Sequence, residues 1–419
     1  MTAASPEPID LWEYRKAEIP PEAIRSEDAE LLWRRYGQRV AVEFPSPRTE
    51  GQWTLTAQGW VGFLPVSPTL ALRLRPRVPL QNLFRMLEVA YHLKSFELLP
   101  GLTDCHSLEE FYERLANVLA RRILTRSRKG FYREYVGRED RLAAIRGRID
   151  LGRALRAPWR VHLDCRFEEH TADVEENRIL RWTLDRIRRN ATCRRPEVRQ
   201  TVRTAFGRLH GLVTPQSFTA LDCRDRSYTR LNDDYRPLHA LCRFFLEHTG
   251  PSHESGDHQN LPFLVDMASL FELYVAEWLR ENLPAPYVVT TQEPFDLGSE
   301  GRLRFQMDLV LYDHTGGTPL AVLDTKYKPV QEPSTADVAQ VVAYAEALGS
   351  MEAVLLYPIR LERPLTFQVG RIRVRTLGFE LSGDLNEAGD QLLAQLVAMD
   401  AQLGRRGASP GIESALVAS

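Results

Sequence analysis

Three residues between Leu303 and Pro329 have the types and spacing of a hydrolytic metal site. Asp308 lies within one apolar segment, and Asp324 and Lys326 end the next, LAVLDTKY. Because residues two apart on a strand face the same side, Asp324 and Lys326 should lie next to each other. Carboxylates at a sheet edge are hard oxygen ligands suited to Mg²⁺, and a neighbouring ammonium can contact a phosphate or an attacking water. The segment therefore indicates metal-assisted hydrolysis.

Two predicted strands and a turn position these residues. The first strand runs from Leu303 to Tyr312 and the second from Leu320 to Tyr327, with the turn Asp313–Gly317 between them. The two glycines of the turn can adopt positive φ, which tight hairpins require. From residue 265 onwards the predicted order α-β-β-β-α-β-β is that of a mixed α/β sheet flanked by helices.

The two flanking helices carry further candidates. The first contains Glu272 as a possible third acid, with Glu277 as the alternative. The second contains Gln340 and Tyr344, which are four positions apart and share a helix face. Such a pair can brace a lysine or contact DNA phosphates. Taken alone, each of these side chains fits an ordinary helix surface better than a functional role.

Composition indicates a soluble globular protein. The chain has 419 residues, of which 43% are hydrophobic and 26% charged, and this length predicts two or three domains. No run of 18 apolar residues and no apolar signal core occur, so neither a membrane span nor secretion is expected. The five scattered cysteines, without a CxxC pair, favour reduced thiols in a cytoplasmic protein over structural zinc.

Changes in pattern predict four regions of a multidomain α/β protein. Residues 1–106 read as short strands punctuated by Gly and Pro, which indicates a β-rich module. Residues 107–258 are mainly helical, and residues 259–400 carry the candidate site. The segment 250–262, GPSHESGDHQNLP, is the strongest linker candidate, and the tail 401–419 is expected to be disordered.

Positive charge is concentrated in the middle region, although the formal net charge of the chain is −2. The segment Arg121–Arg160 has 13 basic and four acidic residues, and its preference for Arg suits bidentate phosphate contacts. A solvated helical face explains the charge equally well. No GxxxxGK[ST] motif occurs, so the chain itself is not expected to bind a nucleotide.

An acid in one strand, a hairpin, and D-x-K ending the next strand, between an acid-bearing helix and a Q-x-x-x-Y helix, resemble the PD-(D/E)xK nucleases. The resemblance implies that Asp308, Asp324, Glu272 and the backbone carbonyl of Thr325 bind Mg²⁺. It also implies that Lys326 orients or activates the water that attacks phosphorus. The proline that often precedes the first acid of these nucleases is absent here.

The chain is also similar to the McrC family, the nuclease subunits of McrBC modification-dependent restriction systems. The segments that carry the similarity span roughly residues 10–380: LRLRPRVPLQNLFRMLEVA, GFYREYVGREDRLAAIRGRIDL, NRILRWTL, LFELYV, QMDLVLY, LDTKYK and QVVAYAEAL. The resemblance implies a partner, an McrB-like AAA+ GTPase that forms hexameric rings and reads modified DNA. In the family the McrC chain docks its N-terminal part into the ring, stimulates nucleotide hydrolysis and cuts double-stranded DNA after translocation.

Two places are candidates for contact with such a partner. Arg146 and Arg148 lie in the basic middle region. The predicted hairpin Trp60–Val66, which includes Phe63, is expected to expose apolar residues as a docking tip.

Two other functions compete with a nuclease subunit. The chain could be a non-catalytic activator of an AAA+ ring, with the nuclease fold serving only as a scaffold. It could also be a stand-alone nuclease that needs no partner. The intact set of Asp308, Asp324 and Lys326 favours a catalytic subunit over a scaffold.

Overall fold

The computed structural model shows the mixed α/β, multidomain architecture that the sequence predicts. It describes residues 7–93, 105–156, 159–190, 192–249, 261–297, 303–313, 317–328 and 332–407. Along these residues no helix is long and apolar enough to cross a membrane.

The strands are numbered here in chain order. They are β1 Ile9–Trp12, β2 Lys16–Ile19, β3 Val40–Glu43, β4 Trp53–Ala57, β5 Trp60–Pro65, β6 Ala71–Arg75, β7 Glu134–Leu142, β8 Arg148–Ile149, β9 Leu163–Thr171, β10 Phe263–Asp266, β11 Tyr287–Leu297, β12 Leu303–Asp313, β13 Thr318–Thr325, β14 Glu352–Tyr357, β15 Thr366–Val369 and β16 Ile372–Gly378.

The α-helices are numbered in the same way. They are α1 Ser26–Tyr36, α2 Leu80–Ala90, α3 Leu108–Lys129, α4 Leu151–Arg156, α5 Glu175–Arg188, α6 Pro196–Leu209, α7 Tyr235–His248, α8 Met267–Asn282, α9 Thr335–Leu348 and α10 Leu385–Gly407.

The described residues form two compact units, and neither is continuous in sequence. The first unit takes its residues from 1–9, 62–73 and 91–264, and the second from 10–61, 74–90 and 265–419. The first contains the helices α3, α5, α6 and α7 and the small sheet β7-β9-β8. The second contains a six-stranded sheet, a three-stranded sheet of order β2-β4-β3, and the helices α1, α2, α8, α9 and α10. The predicted sequential boundaries at 106, 258 and 400 stay predictions.

A six-stranded mixed sheet of order β11-β12-β13-β14-β16-β15 carries the candidate site. Its first three strands are antiparallel neighbours, whereas β13, β14 and β16 run parallel to one another. Parallel pairing of β13 with β14 needs a crossover connection, and α9 supplies it. The predicted order of elements is therefore confirmed, with β15 as an added edge strand.

Helix α9 is fixed at both ends and packs on this sheet. Ser334 and Asp337 form a reciprocal capping box at its start, and Gly349 ends it in the left-handed conformation with φ of 73°. Its apolar residues Val341 and Ala345 are fully buried in a cluster with strands β12, β13, β14 and β16. These cap residues account for both ends of the helix.

Some predictions for the chain differ from the structure or fall outside its description. Helix α10 continues to Gly407, so residues 401–407 are helical, and the prediction that the disordered tail starts at residue 401 is wrong. The remaining tail, residues 314–316 of the turn and residues 250–260 of the predicted linker lie outside the described residues.

Candidate active site

The pairing of β12 with β13 brings Asp308 and Asp324 together. The last antiparallel pair before the site is Leu309 with Leu323, and one further step in that register places Asp308 opposite Asp324. Residues directly opposite in antiparallel strands have neighbouring side chains on one face. Asp308 Oδ2 accepts hydrogen bonds from the backbone N–H of Thr325 at 2.9 Å and from its hydroxyl at 3.0 Å. These bonds attach the first carboxylate to the strand that carries the second.

The carboxylate of Asp324 is buried and incompletely paired. Its residue is 1% exposed, and neither of its oxygens has a hydrogen-bond partner among the described residues. Lys326 Nζ lies 2.6 Å from Oδ2, so the two charges form a close ion pair. Burial, followed by the negative charge of Asp308, raises the pKa of Asp324 to about 6 against the attraction of Lys326.

Helix α9 holds the side chain of Lys326 by a hydrogen bond. Its ammonium donates to Gln340 Oε1 at 3.0 Å, and Gln340 Nε2 in turn donates to the hydroxyl of Tyr344 at 2.9 Å. The backbone N–H of Lys326 donates to the carbonyl of Leu356 in β14 at 2.8 Å. The structure therefore joins five of the residues chosen from the sequence: Asp308, Asp324, Lys326, Gln340 and Tyr344.

Two further residues near this group had no distinctive signal in the sequence. Asp337 Oδ1 lies 3.9 Å from Lys326 Nζ and accepts a hydrogen bond from Lys328 at 2.8 Å. Burial would raise the pKa of Asp337, but the bonds from Lys328 and Ser334 outweigh it and lower the pKa. The buried hydroxyl of Tyr357 has no partner in the described chain, and burial and the charges of Asp337 and Asp324 raise its pKa to about 12.

Glu272 is not grouped with the two aspartates. It lies half-buried on α8, the helix whose Phe271 packs against Tyr327. Among the described residues no three His, Cys, Asp or Glu side chains are arranged to hold a metal ion. The alternative acid, Glu277, is buried and forms an ion pair with Arg280. A metal at this site would thus rely first on Asp308 and Asp324, and the roles of Glu272 and the Thr325 carbonyl stay predictions.

The donor set fits a divalent cation. Two facing carboxylates, one of them buried without hydrogen bonds to either oxygen in the described chain, leave negative charge that one ammonium only partly neutralises. Burying such a charge is costly unless a cation completes its neutralisation. Carboxylate oxygens are the ligands that Mg²⁺ prefers.

The residues predicted to contact a partner differ in exposure. Arg146 and Arg148 are exposed in the first unit, where the Arg146 guanidinium lies 4.1 Å from the ring centre of Phe167. Phe63, in contrast, is 2% exposed, and Trp60 is half-buried beneath Arg39. The expectation that Trp60–Val66 exposes apolar residues is wrong. β5 is an inner strand of the sheet β1-β6-β5-β10, and its apolar side chains are buried or half-buried.

Comparisons with known proteins agree with this architecture. The chain is 23% identical over 243 residues to the type IV methyl-directed restriction enzyme EcoKMcrBC of Escherichia coli K12. That match covers 54% of this chain and 65% of the relative, slightly under two thirds of its length. A structure described as Thermococcus gammatolerans McrB AAA+ hexamers with bound McrC matches in fold, with a TM-score of 0.52 at 20% identity, over 94% of this chain and 100% of the other.

The sequence model of one family spans most of the chain. It is described as McrBC 5-methylcytosine restriction system component, and it matches residues 55–358. The matched range includes Asp308, Asp324, Lys326 and the helix α9 that braces them. The chain therefore belongs to the McrBC 5-methylcytosine restriction system component family.

Proposed function

We propose that this chain is the Mg²⁺-dependent DNA endonuclease subunit of an McrBC-type restriction system. The observation that carries the proposal is the buried Asp324, which faces Asp308 and Lys326 while both its oxygens lack hydrogen bonds within the described chain. A buried carboxylate of this kind destabilises a protein that serves only as a scaffold, whereas a metal-dependent phosphodiesterase requires it to bind the metal.

The roles of the residues follow from their positions. Asp308 and Asp324 would hold the metal, and Thr325 keeps Asp308 in place through two hydrogen bonds. Bound there, Mg²⁺ would supply charge neutralisation for the phosphate and polarise a water for attack. Lys326 presents its ammonium towards the same space, where it can orient the water or stabilise charge on a phosphate oxygen. Gln340 limits the positions open to that ammonium because it accepts a hydrogen bond from one of its three N–H groups.

Cleavage with a reconstituted partner tests this assignment. Asp324→Ala and Lys326→Ala should abolish cutting of methylated DNA in the presence of the partner, GTP and Mg²⁺, and should leave partner-stimulated GTP hydrolysis unchanged. Glu352→Gln is a matched control, because Glu352 is a buried carboxylate in the same sheet that pairs with Arg373 and Arg375 away from the site. Persistent cutting by the Asp324 variant would refute the site. Cutting by the wild-type chain alone would indicate a stand-alone nuclease.

The partner we propose is an McrB-like AAA+ GTPase ring, since the similar Thermococcus structure contains McrB hexamers with bound McrC. The surface that suits such a partner is the sheet β7-β9-β8 with helix α4 and residues 159–161. Large apolar side chains are exposed there: Tyr135, Ile145, Leu151, Leu155, Trp159 and Val161. Exposed apolar groups of this density mark interaction surfaces in soluble proteins.

Introducing charge on this surface tests the docking. Leu155 is 79% exposed and Trp159 is 77% exposed, so Leu155→Asp and Trp159→Asp should leave the fold intact. Each should weaken partner binding by more than about tenfold, because central apolar anchors account for most of the binding energy of an interface. Leu231→Asp is the matched control, since Leu231 is 73% exposed in the same unit but lies outside this sheet. Equal loss in the control would refute the docking surface.

A further inference from the structure

A buried carboxyl group contacts the residue that follows Lys326 in the chain. Glu13, which follows β1, is 0% exposed. Its Oε2 accepts hydrogen bonds from the hydroxyl of Tyr327 at 3.1 Å and from the backbone N–H of Arg77 at 3.3 Å. Its Oε1 has no partner among the described residues. A side chain from the beginning of the chain thus fixes the residue that immediately follows the candidate catalytic lysine.

Tyr14 makes a second contact with the same residue. Its hydroxyl donates to the backbone carbonyl of Tyr327 at 3.3 Å. Tyr14 has a φ of 57°, in the left-handed region that residues with a side chain rarely adopt. This conformation is kept by the bond from its N–H to the carbonyl of Ala57 at 2.9 Å. Residues held in a rare backbone conformation are often functional, because the surrounding structure must retain them there.

Space for this contact is left by a glycine. A Cβ atom at Gly59 would lie 2.7 Å from the Tyr14 hydroxyl, and Gly59 itself has a φ of 67°. The carbonyl of Gly59 also accepts the N–H of Met267, the first residue of α8, at 2.9 Å. The segment Glu13–Tyr14 is therefore built into the second unit at the point where α8 and the end of β13 meet it.

These contacts restrain the backbone on both sides of Lys326. On one side, its own N–H bonds to Leu356 of β14. On the other, Tyr327 is tied by its hydroxyl to Glu13, by its carbonyl to Tyr14, and by its ring to Phe271, at 6.1 Å between ring centres. A lysine side chain has many rotamers, so the position of its ammonium depends on a fixed backbone and a fixed partner at its tip.

We propose that Glu13 and Tyr14 are positioning residues for Lys326, acting through Tyr327. The proposal rests on the proposed nuclease function. Gln340 holds the Lys326 ammonium, and Glu13 and Tyr14 hold the backbone next to Lys326 through their contacts with Tyr327. A displacement of about 1 Å in a catalytic group costs up to about 100-fold in rate, so loosening this support should be visible in catalysis.

The test is single-turnover DNA cleavage by the full chain reconstituted with its AAA+ partner, with Asp324→Asn as the reference for an inactive site. Tyr327→Phe and Glu13→Ala should each lower the maximal rate about tenfold. Glu13→Gln should keep most of the rate, because an amide oxygen still accepts both hydrogen bonds. Tyr235→Phe is the matched control, since the buried Tyr235 hydroxyl bonds to Asn177 at 2.7 Å in the other unit.

The Mg²⁺ dependence separates positioning from general loosening. A positioning role predicts that the maximal rate falls while the Mg²⁺ concentration for half-maximal rate changes less than about twofold, because both aspartates stay in place. A rate unchanged by Tyr327→Phe, a parallel rise in the Mg²⁺ requirement, or a loss in Glu13→Gln equal to that in Glu13→Ala would each overturn the proposal. If Glu13→Ala does not fold, Tyr327→Phe decides, since it removes one oxygen only. Full activity of the Asp324→Asn reference would instead refute the proposed function.

Discussion

Replacing Asp324 by Asn should stabilise the metal-free protein while it abolishes cleavage. The substitution keeps the shape of the side chain and removes its charge. In the folded chain the pKa of Asp324 is raised from its usual 3.8 to about 6, first by burial and then by Asp308. A rise of this size corresponds to about 3 kcal/mol of unfavourable free energy for the ionised carboxylate. That value already includes the attraction of Lys326, so it is the net cost of the charge at this position.

The effect has a defined dependence on pH. Because the pKa in the folded state lies above that in the unfolded state, the folded state binds the proton more tightly. The wild-type protein therefore loses stability as pH rises from about 4 to about 6, and the full cost of about 3 kcal/mol is present at pH 8. The gap in stability between the Asp324→Asn variant and the wild type is small near pH 4, where the side chain is neutral in both folded proteins, and it is widest at pH 8.

Calorimetry of both proteins in EDTA at several pH values measures this gap. A change of about 3 kcal/mol in a unit of some 200 residues corresponds to roughly 6–12 °C in the unfolding temperature. Glu352→Gln should behave oppositely and destabilise, because Glu352 neutralises Arg373 at 3.0 Å and Arg375 at 3.1 Å. If Asp324→Asn lowers the unfolding temperature at pH 8, or if the gap does not widen with pH, the reasoning about an unneutralised carboxylate is wrong.

Three further results are expected. The buried Glu13 has its pKa raised to about 7, mainly by burial, so its contribution to stability is present at low pH and is lost as pH rises from about 4.5 to 7. Glu13→Gln should therefore remove a pH-dependent change of up to about 3 kcal/mol in the free energy of unfolding, measured by denaturant unfolding. If the free energy of unfolding of the variant depends on pH as in the wild type, this reasoning is wrong. Gln340→Ala should lower the cleavage rate about tenfold at unchanged unfolding temperature, because the Lys326 ammonium loses its acceptor on α9. A normal rate in this variant would show that Gln340 does not position the lysine. Gly389→Ala should destabilise the second unit by about 1–3 kcal/mol, because a Cβ there would overlap the ring of Trp278, whereas Gly383→Ala, with its nearest atom at 3.7 Å, is the calorimetric control.

Local signals explain which parts of the site could be predicted from the sequence. The alternation of residues along β13 put Asp324 and Lys326 on one face, and the hairpin made Asp308 their neighbour. The shared face of Gln340 and Tyr344 followed from the helix period. In each case the information lies within one helix or one pair of consecutive strands, so no knowledge of how these elements pack together was needed.

Other parts depend on tertiary packing and had no local signal. Glu13 and Tyr327 are 314 positions apart, and nothing near Glu13 in the sequence indicates a buried carboxyl. The apolar residues of β5 looked like an exposed hairpin, but alternation along one strand does not say whether both neighbouring strands and both faces are covered. Glu272 depends on how α8 is rotated against the sheet, which helical spacing alone does not determine.

The discontinuous second unit also constrains how the protein folds during synthesis. Its segments 10–61 and 74–90 leave the ribosome long before residues 265–419, which form the sheet and helices that complete the unit. At usual translation rates the intervening stretch, residues 91–264, takes about 9 to 35 s to make. During this time helix α2, whose Leu87 is fully buried in the finished protein, lacks helix α8, against which it packs. We therefore expect the nascent N-terminal half to depend on chaperones, and the candidate site to form only after synthesis of the chain is nearly complete.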